Sequence, residues 1–494
     1  MAVCQCSDIW DWIHNLPPIA EWKANYMSMC ICSSSSTQPS LNLSIAKTRD
    51  APSFYFSILA DFSLPISLWT SKPFHLNMRS QKLIDEGTVP KLMMNLIEDV
   101  LKYGSSNKRV PFRIPRLDSI ATFKDVFNFV FLSLTFLVCI YEAPTDIRSA
   151  CLATLKDQLS SSPSRQASKL LMRHLGSNLE ERWVRSINVA FTNWIVELKE
   201  VNCPLKTPSP LFSYALSTIG LWKVQLYCPV IAMDAVSSSS SSSDPRLQFS
   251  LNYHQLEGVI QFNYKVTARE RWIDVGMSID NLRLDVVRLV NEALMRERGV
   301  GSSEKHFPSQ ISLQLTPVFQ TDVISISVGK SSENPIREIG TERTIEGSIE
   351  LPTSVGIRVA AGESSTMSLK PWKFEESVYG NTANLNWFLH DTLSGREVST
   401  SKPSLLSLLH PKAWFKNRYS RAYRPFTRQG GIVFARDEYG DGVWWKVDKK
   451  AMGRTMEWEV KGMIWLTYWP NRHRTLYNET RRLEFKETIY ITLV

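Results

Sequence analysis

Hydrophobic and polar positions alternate with a period of two along most of the second half of the chain. Because successive side chains of a strand point to opposite faces, this alternation is typical of strands with one buried face. The turn residues Gly, Pro, Asn and Ser separate the runs, which predicts an antiparallel β-sandwich or two stacked sheets. One interruption, residues 286–298, predicts a helix that ends at Gly299. The alternating runs include residues 247–253, 260–266, 273–279, 311–315, 324–328, 385–389, 443–447, 456–460, 464–468 and 489–493.

Apolar residues at helical spacing predict three helices in the first half of the chain. The predicted helices cover residues 144–159, 164–175 and 179–198. The third has a broad apolar face that includes Trp183 and Ile187. Antiparallel packing of such helices gives a small bundle, which we place at about residues 124–200. Ahead of the bundle, residues 41–45 and 54–69 predict strands.

Residues 126–141 form a long run without a charged side chain. As a helix that rises about 1.5 Å per residue, the run spans roughly 24 Å, which is shorter than the ~30 Å hydrocarbon core of a bilayer. The polar residues Asn128, Ser133 and Thr135 interrupt it. Its length therefore favours a buried core helix, and a membrane-inserted helix is the alternative.

A run of seven serines at residues 237–243 divides these two patterns. Such a run is typical of a solvated linker. The sequence therefore predicts an α+β protein in three parts. They are a mixed α/β region with the helical bundle at residues 1–234, a Ser-rich linker at 235–246 and a large antiparallel β-sandwich region at 247–494.

Composition and charge narrow the class of protein. Apolar residues make up 43% of the 494 residues and charged residues 21%, which excludes a wholly disordered, collagen-like or polytopic membrane chain. The formal net charge of +9 lies entirely in residues 401–494, where 18 Lys and Arg stand against 9 Asp and Glu. The C-terminal part therefore carries a local positive field.

The strongest candidate for a binding site is the basic and aromatic segment at residues 402–428, which has no acidic residue. Its cations attract phosphate oxygens, and its rings can stack on bases or lie at a lipid headgroup boundary. The alternative is a solvated face of cations whose aromatic rings pack inward. The anion-binding candidates are Lys412, Lys416, Arg418, Arg421, Arg424 and Arg428, and the aromatic contacts are Trp414, Tyr419 and Tyr423.

Eight cysteines are too few for a disulfide scaffold and indicate a reducing compartment. The N-terminus shows neither a secretory signal nor a transit peptide, so we expect a cytoplasmic or nuclear protein, with membrane association possible. Cys4 and Cys6 lie beside apolar residues and are candidates for S-acylation. With Cys30 and Cys32 they could also bind zinc, although free thiols explain them as well.

No intact catalytic motif appears in the sequence. The zinc-peptidase, α/β-hydrolase and dinucleotide-binding signatures are missing, and we predict no catalytic residue, metal or cofactor. Asp437, Glu438 and Asp441 form an acidic cluster, but the neighbouring glycines indicate a hairpin turn. The C-terminal tryptophans would suggest glycan or peptide recognition if they were exposed, but the alternation at Trp445, Trp458 and Trp465 favours a sandwich core.

Two segments carry a resemblance to a known family. Residues 270–281, ERWIDVGMSIDN, and the tryptophan-rich runs at 444–449 and 465–471 resemble a plant family with no assigned activity. The resemblance implies a plant source and brings no ligand or site residue.

The sequence thus predicts a non-enzymatic binding or scaffold protein that engages an anionic partner through residues 402–428. That partner is a membrane lipid, a nucleic acid or an acidic protein. One alternative is a membrane-associated protein that uses residues 126–141. A further alternative is an enzyme whose active site forms only in three dimensions.

Overall fold

The strands and helices of the chain form two compact units in the computed structural model. Unit 1 comprises Met1–Leu216, Tyr227–Ala232 and Arg288–Gly299, and unit 2 comprises Ser217–Leu226, Met233–Val287 and Val300–Val494. The structure describes residues 8–18, 21–33, 39–48, 52–61, 64–75, 88–104, 120–199, 213–218, 220–236, 245–290, 306–329, 337–346, 360–369, 372–389, 432–435, 442–468 and 479–494.

Unit 1 combines a five-stranded sheet with helices. The strands follow the order β1-β2-β3-β4, and β5 pairs with β3. The strands are β1 (Tyr26–Ser33), β2 (Ser40–Lys47), β3 (Ser53–Asp61), β4 (Ile66–Thr70) and β5 (Phe74–His75). The helices are α1 (Ile9–His14), α2 (Thr88–Lys102), α3 (Ile120–Glu142), α4 (Thr145–Leu159), α5 (Ser162–Leu175) and α6 (Ser177–Lys199).

Helix α3 forms the centre of unit 1 and contains the uncharged run 126–141. It packs against α2, α4, α5 and α6, with Phe129 beside Trp183 of α6 at a ring distance of 6.2 Å. The hydroxyls of Ser133 and Thr135 donate hydrogen bonds to main-chain carbonyls one turn earlier, so both of these buried hydroxyls have a partner within the helix. By length and composition α3 could cross a membrane, but 78% of its most apolar window is buried inside the structure. This burial favours the core-helix interpretation.

The predicted elements of unit 1 are confirmed as α4, α5 and α6 and as β2, β3 and β4. Strand β1 and helix α2 were not predicted. Helix α2 has a buried face at Leu92, Leu96 and Val100, and the indole N–H of Trp69 on β4 donates to Asp99 of this helix at 2.9 Å.

Two large antiparallel sheets dominate the second half of the chain. One has the order β12-β18-β10-β9-β7-β6, with β17 on β10; the other has the order β15-β16-β11-β19-β20-β8; and β13 pairs with β14. The strands are β6 (Ser213–Thr218), β7 (Leu221–Pro229), β8 (Asp234–Ala235), β9 (His254–Ala268), β10 (Trp272–Arg288), β11 (Phe307–Pro317), β12 (Val323–Val328), β13 (Arg337–Glu346), β14 (Ala360–Leu369), β15 (Trp372–Tyr379), β16 (Thr382–Leu389), β17 (Ile432–Ala435), β18 (Val443–Asp448), β19 (Thr455–Tyr468) and β20 (Glu479–Thr492).

The two large sheets of unit 2 enclose an aromatic core, which confirms the predicted α+β class with its β-sandwich. Trp445 of β18 and Trp458 of β19 lie in different sheets, and their ring centroids are 6.0 Å apart in an edge-to-face arrangement. Phe374 and Trp387 pack at 4.8 Å on neighbouring strands β15 and β16. The alternation of apolar and polar residues in the sequence therefore identifies correctly which side chains of these strands point into the core.

Two local predictions for this half are wrong. Residues 247–253 were predicted as a strand but lie in a helix, α7 (Pro245–Tyr253). Residues 286–288 were predicted as the start of a helix but continue β10, because its ladder extends to Arg288. The serine run at 237–243 and residues 291–298 lie outside the described residues, so the predicted linker and domain bounds stay predictions.

The core position of α3 gives a testable expectation. Leu137 is fully buried, so Leu137→Ala leaves a cavity and should lower the free energy of unfolding by about 2–5 kcal/mol in chemical denaturation. Asp125→Ala, at an exposed position of the same helix, should change it by less than about 0.5 kcal/mol. Equal, small effects would contradict the core position of α3.

Candidate functional site

Four connections between strands of unit 2 meet at one end of the sandwich. Strand β10 begins at Trp272 opposite Asp448, the last residue of β18. In the other sheet β11 ends at Pro317 opposite Trp458, near the start of β19. The connections β11–β12 and β18–β19 are short and cross from one sheet to the other, so both sheets end here. The loop end is defined as residues 268–272, 318–322, 378–381 and 448–454.

Hydrogen bonds join the connections of the loop end in two pairs, 318–322 with 378–381 and 268–272 with 448–454. Asn381 donates from Nδ2 to the carbonyl of Gln320 at 3.3 Å, and its own carbonyl accepts the indole N–H of Trp445 at 3.1 Å. Lys449 Nζ donates to the carbonyl of Glu270 at 2.8 Å. These bonds link loops that are far apart in sequence, and they hold the loop end in one arrangement before any partner binds.

The loop end exposes an unusual share of apolar side chains. Tyr379 is 84% exposed at the β15–β16 turn, where Gly380 supplies a positive φ of 58°. Phe319 is 53% exposed in the β11–β12 connection. Turn residues are ordinarily polar, so large apolar side chains at several neighbouring turns indicate a contact surface. The exposed apolar residues here are Val318, Phe319, Val378, Tyr379 and Met452.

Positive charge surrounds these apolar tips. The four connections contain five cations and three carboxylates. Within the part of the chain that the structure describes, Arg271, Lys450 and Arg454 form no ion pair. The exposed cations are Arg269, Arg271, Lys449, Lys450 and Arg454.

One of the cations, Arg269, is neutralised by Asp274 of β10. Its Nε donates to the carboxylate at 2.8 Å, and the indole N–H of Trp272 donates to the other oxygen at 2.7 Å. The hydrogen bond from Arg269 lowers the pKa of Asp274, against the opposing effect of burial, and the bond from Trp272 lowers it further. Arg269 therefore contributes less to the field of the loop end than its unpaired neighbours.

A buried polar cluster lies at the opposite end of the same sandwich. Ser250 Oγ of α7 and Nδ1 of His306 are 2.7 Å apart, and the carbonyl of Ser250 contacts Nδ1 of His254 at 3.1 Å. Beside them Thr467 donates to the hydroxyl of Ser309 at 2.8 Å. A serine beside a histidine resembles a nucleophile and its base, but both side chains are fully buried, so no substrate can reach the hydroxyl in this conformation.

His306 is neutral in this cluster. Burial lowers the pKa of His306 well below the ordinary 6.5, and the nearby charges of His254 and Arg481 lower it further. Its Nε2 has no hydrogen-bond partner among the described residues, so a proton added there would be buried without compensation. This cluster is better suited to holding unit 2 together than to chemistry.

The cysteines that the structure describes are free thiols. Cys30 is exposed on β1, whereas Cys32 is buried with its Sγ 3.6 Å from the carbonyl of Cys151 in α4. A hydrogen bond with Cys151 and burial raise the pKa of the Cys32 thiol, so it stays protonated and unreactive. Among the described residues no group of three or more His, Cys, Asp and Glu could hold a metal ion.

The site residues predicted from the sequence lie outside the described residues. These are Lys412, Lys416, Arg418, Arg421, Arg424, Arg428, Trp414, Tyr419, Tyr423, Cys4 and Cys6, together with the acidic cluster at 437–441. Of the three tryptophans predicted for the core, Trp445 and Trp458 are buried and Trp465 is half-buried, whereas Trp444 is exposed. Sequence reasoning missed the loop end, although an apolar pair in a short connection, Val318 and Phe319, was a visible signal.

Comparison with known proteins gives no family. No protein-family model and no curated protein matches the chain. Among solved structures, the delta-toxin of Clostridium perfringens is similar at 10% identity, over 56% of this chain and 95% of that one, with a TM-score of 0.23. A structure described as a pore forming protein matches at 8% identity over 56% and 94%, with a TM-score of 0.20. The NetB toxin of C. perfringens in its membrane-inserted form matches at 8% identity over 56% and 92%, with a TM-score of 0.16. TM-scores this low carry no argument about function.

The buried imidazole of His306 makes the stability of unit 2 depend on pH. The unfolded chain binds a proton below pH 6.5 and the folded state does not, so the free energy of unfolding is complete above pH 6.5 and falls below it. One such proton gives a slope of up to about 1.4 kcal/mol per pH unit. Denaturant unfolding between about pH 7.5 and about pH 5.5 measures it, above the pH at which most carboxylates titrate.

His306→Asn retains a hydrogen-bonding atom towards Ser250 and removes the titrating group. We expect this variant to flatten the pH dependence, whatever its absolute stability. His174→Asn, at an exposed position of α5, should leave the slope unchanged. If His306→Asn does not change the slope of the unfolding free energy against pH, a group other than His306 causes the acid sensitivity.

Proposed function

We propose that the protein binds the surface of anionic membranes peripherally and that the loop end of unit 2 makes the contact. The observation that carries this proposal is the combination, on one end of a rigid sandwich, of exposed apolar turn residues with unpaired cations. The proposal keeps the class of function that the charge pattern predicts, a non-enzymatic binding protein with an anionic partner, and moves the contact to other residues.

Insertion of the apolar tips supplies the first part of the binding energy. Amphipathic surfaces bury apolar side chains about 5–10 Å into the boundary between headgroups and acyl chains. Transfer of a side chain such as Phe319 from water contributes about 1.5–3 kcal/mol when it is fully buried. Tyr379 is suited to the same boundary because its ring is apolar and its hydroxyl can reach water.

Electrostatic attraction supplies the second part. Each Lys or Arg close to an anionic leaflet contributes about 1 kcal/mol, and the contribution falls off within a Debye length of the surface. Arg271, Lys450 and Arg454 are exposed and have no carboxylate to displace before binding. Because the anionic lipids are concentrated in the cytoplasmic leaflet, this contact agrees with the reducing compartment that the cysteine content predicts.

A lipid surface fits the loop end better than a folded protein does. The exposed apolar residues lie at three separate turns rather than on one strand or helix. A fluid bilayer adapts to such separate tips, whereas a protein partner would need a matching pocket for each of them. The alternative route, insertion of α3, would require unit 1 to expose side chains that are now in its core.

Two sequence-based predictions join this proposal. The basic and aromatic segment at residues 402–428 has the chemistry of the loop end, so we propose that it contacts the same membrane surface. The resemblance of residues 270–281 to a plant family supports a plant source.

Removing the two most exposed aromatic tips tests the apolar part of the contact. Phe319→Ser combined with Tyr379→Ser should reduce partitioning onto phosphatidylcholine–phosphatidylserine vesicles by at least about tenfold, since each ring is worth more than about 1.4 kcal/mol when inserted. Vesicle co-sedimentation measures the partition coefficient. The control pair, Leu64→Ser with Tyr26→Ser, removes comparable exposed side chains from unit 1 and should leave partitioning unchanged.

If the control pair weakens partitioning as much as the tip pair, the contact does not lie at the loop end. If the unaltered protein does not sediment with vesicles of any anionic lipid content, the lipid proposal is wrong. The exposed tips would then be a surface for a protein partner.

Neutralising the unpaired cations tests the electrostatic part. Arg271→Gln, Lys450→Gln and Arg454→Gln together should weaken binding to phosphatidylserine vesicles by about a hundredfold at low salt and flatten its salt dependence. Binding to pure phosphatidylcholine vesicles should change little, because that contact depends on the apolar tips. A charge-matched control is Lys23→Gln, Lys91→Gln and Arg173→Gln, at exposed positions in unit 1. Equal loss in both triple variants would indicate a dependence on net charge alone.

A further inference from the structure

We propose that the outer face of the seven-stranded sheet, centred on Trp444, binds an uncharged saccharide. This site is distinct from the loop end and uses none of its side chains. Trp444 lies on β18 and points away from the core, since its neighbours Val443 and Trp445 are buried. Its ring is 42% exposed, and its indole N–H has no hydrogen-bond partner in the part of the chain that the structure describes.

The ring of Trp444 is seated on the backbone of the adjacent strand. It pairs with Gly276 of β10, and a Cβ atom at Gly276 would lie only 3.0 Å from its Cδ1 and Nε1 atoms. Such a distance is shorter than ordinary van der Waals contact, so the indole occupies the space that a side chain at Gly276 would need. Because Gly276 has no side chain, one edge of the indole contacts the backbone of β10, and this contact restrains the ring before a ligand binds.

Small polar groups surround the exposed ring. Ser327 of β12 lies directly opposite Trp444, and Ser278 follows Gly276 on the same face of β10. Further along this face, Asp280 accepts hydrogen bonds from Gln261 at 2.6 Å and from Asn263 at 2.9 Å. Hydroxyl, amide and carboxylate groups can each donate to or accept from the hydroxyls of a sugar. A tryptophan among them offers an apolar surface for the C–H face of a pyranose ring.

The charge of this face favours an uncharged ligand. Lys446 lies over the ring of Trp272 at 4.7 Å, and its charge lowers the pKa of Asp274, although less than the hydrogen bond from Arg269 does. A second lysine, Lys265, lies on this face beside Gly276, and a second carboxylate, Asp280, lies further along β10. Charges of both signs are thus interspersed on the face, which presents no cluster of cations to attract phosphate or another polyanion.

The test uses the full chain and four uncharged tetrasaccharides, namely cellotetraose, maltotetraose, tetra-N-acetylchitotetraose and mannotetraose, with tetragalacturonate as the charged comparison. Saturation-transfer NMR detects binding, and titration of tryptophan fluorescence gives the affinity. We expect at least one uncharged tetrasaccharide to bind. Trp444→Ala should weaken its binding at least tenfold, whereas Trp444→Phe, which retains an aromatic face, should stay within about threefold.

Two further variants separate the role of the ring from general surface effects. Gly276→Val places a side chain in the space that the indole of Trp444 occupies, so the ring must move and saccharide binding should weaken. This variant still has an exposed tryptophan on the strand. Tyr490→Ala removes an exposed ring from β20 and should leave saccharide binding unchanged. All of these variants should bind phosphatidylserine vesicles like the unaltered protein, so failure here is distinguishable from failure of the membrane proposal.

The proposal is overturned if none of the four uncharged tetrasaccharides binds, or if only tetragalacturonate does. It is equally overturned if Trp444→Ala binds the saccharide as tightly as the unaltered protein, because the ring would then lie outside the contact.

Discussion

The contact between the indoles of Trp445 and Trp458 is the interaction on which unit 2 depends. It joins the two sheets beside the loops that cross between them, and both rings are fully buried. Sheets of a sandwich pack about 10 Å apart, a distance that large rings fill without voids. Because the N–H of Trp445 also bonds the carbonyl of Asn381, one side chain both sets the sheet separation and positions a loop tip.

The sequence predicts most of the fold because burial is periodic in it. Alternation works for β9, β10 and β19, whose inward residues are apolar and whose outward residues are polar. It fails at α7, where the buried residues Leu247, Ser250 and Leu251, together with His254 directly after the helix, follow helical spacing. A serine and a histidine occupy two of those positions, and they conceal the helical period from any count of apolar residues.

The candidate surfaces were much less predictable. Three connections of the loop end contribute one or two exposed apolar residues each, and a single exposed apolar residue is common on protein surfaces and predicts no site. Only the strand register brings Phe319, Tyr379 and Met452 to one end. The segment at 402–428 is conspicuous because many cations follow one another there without an acidic residue between them. A binding surface, however, can also form from residues that are far apart in the sequence. Likewise Trp444 and Trp445 are identical neighbours in sequence, and only the direction of the pleat separates an exposed ring from a core ring.

The central position of α3 has a consequence for synthesis of the chain. This helix is apolar on nearly all sides, and three of the four helices it packs against in the fold described above, α4, α5 and α6, are encoded after it. Another 57 residues, from 143 to 199, must therefore emerge from the ribosome before its surface can be fully covered. At ordinary elongation rates this takes roughly 3–11 s, far longer than the collapse of a nascent helix. During that interval the apolar side chains of α3 are exposed on the nascent chain. We therefore expect chaperones that bind extended apolar stretches to contact unit 1 during its synthesis.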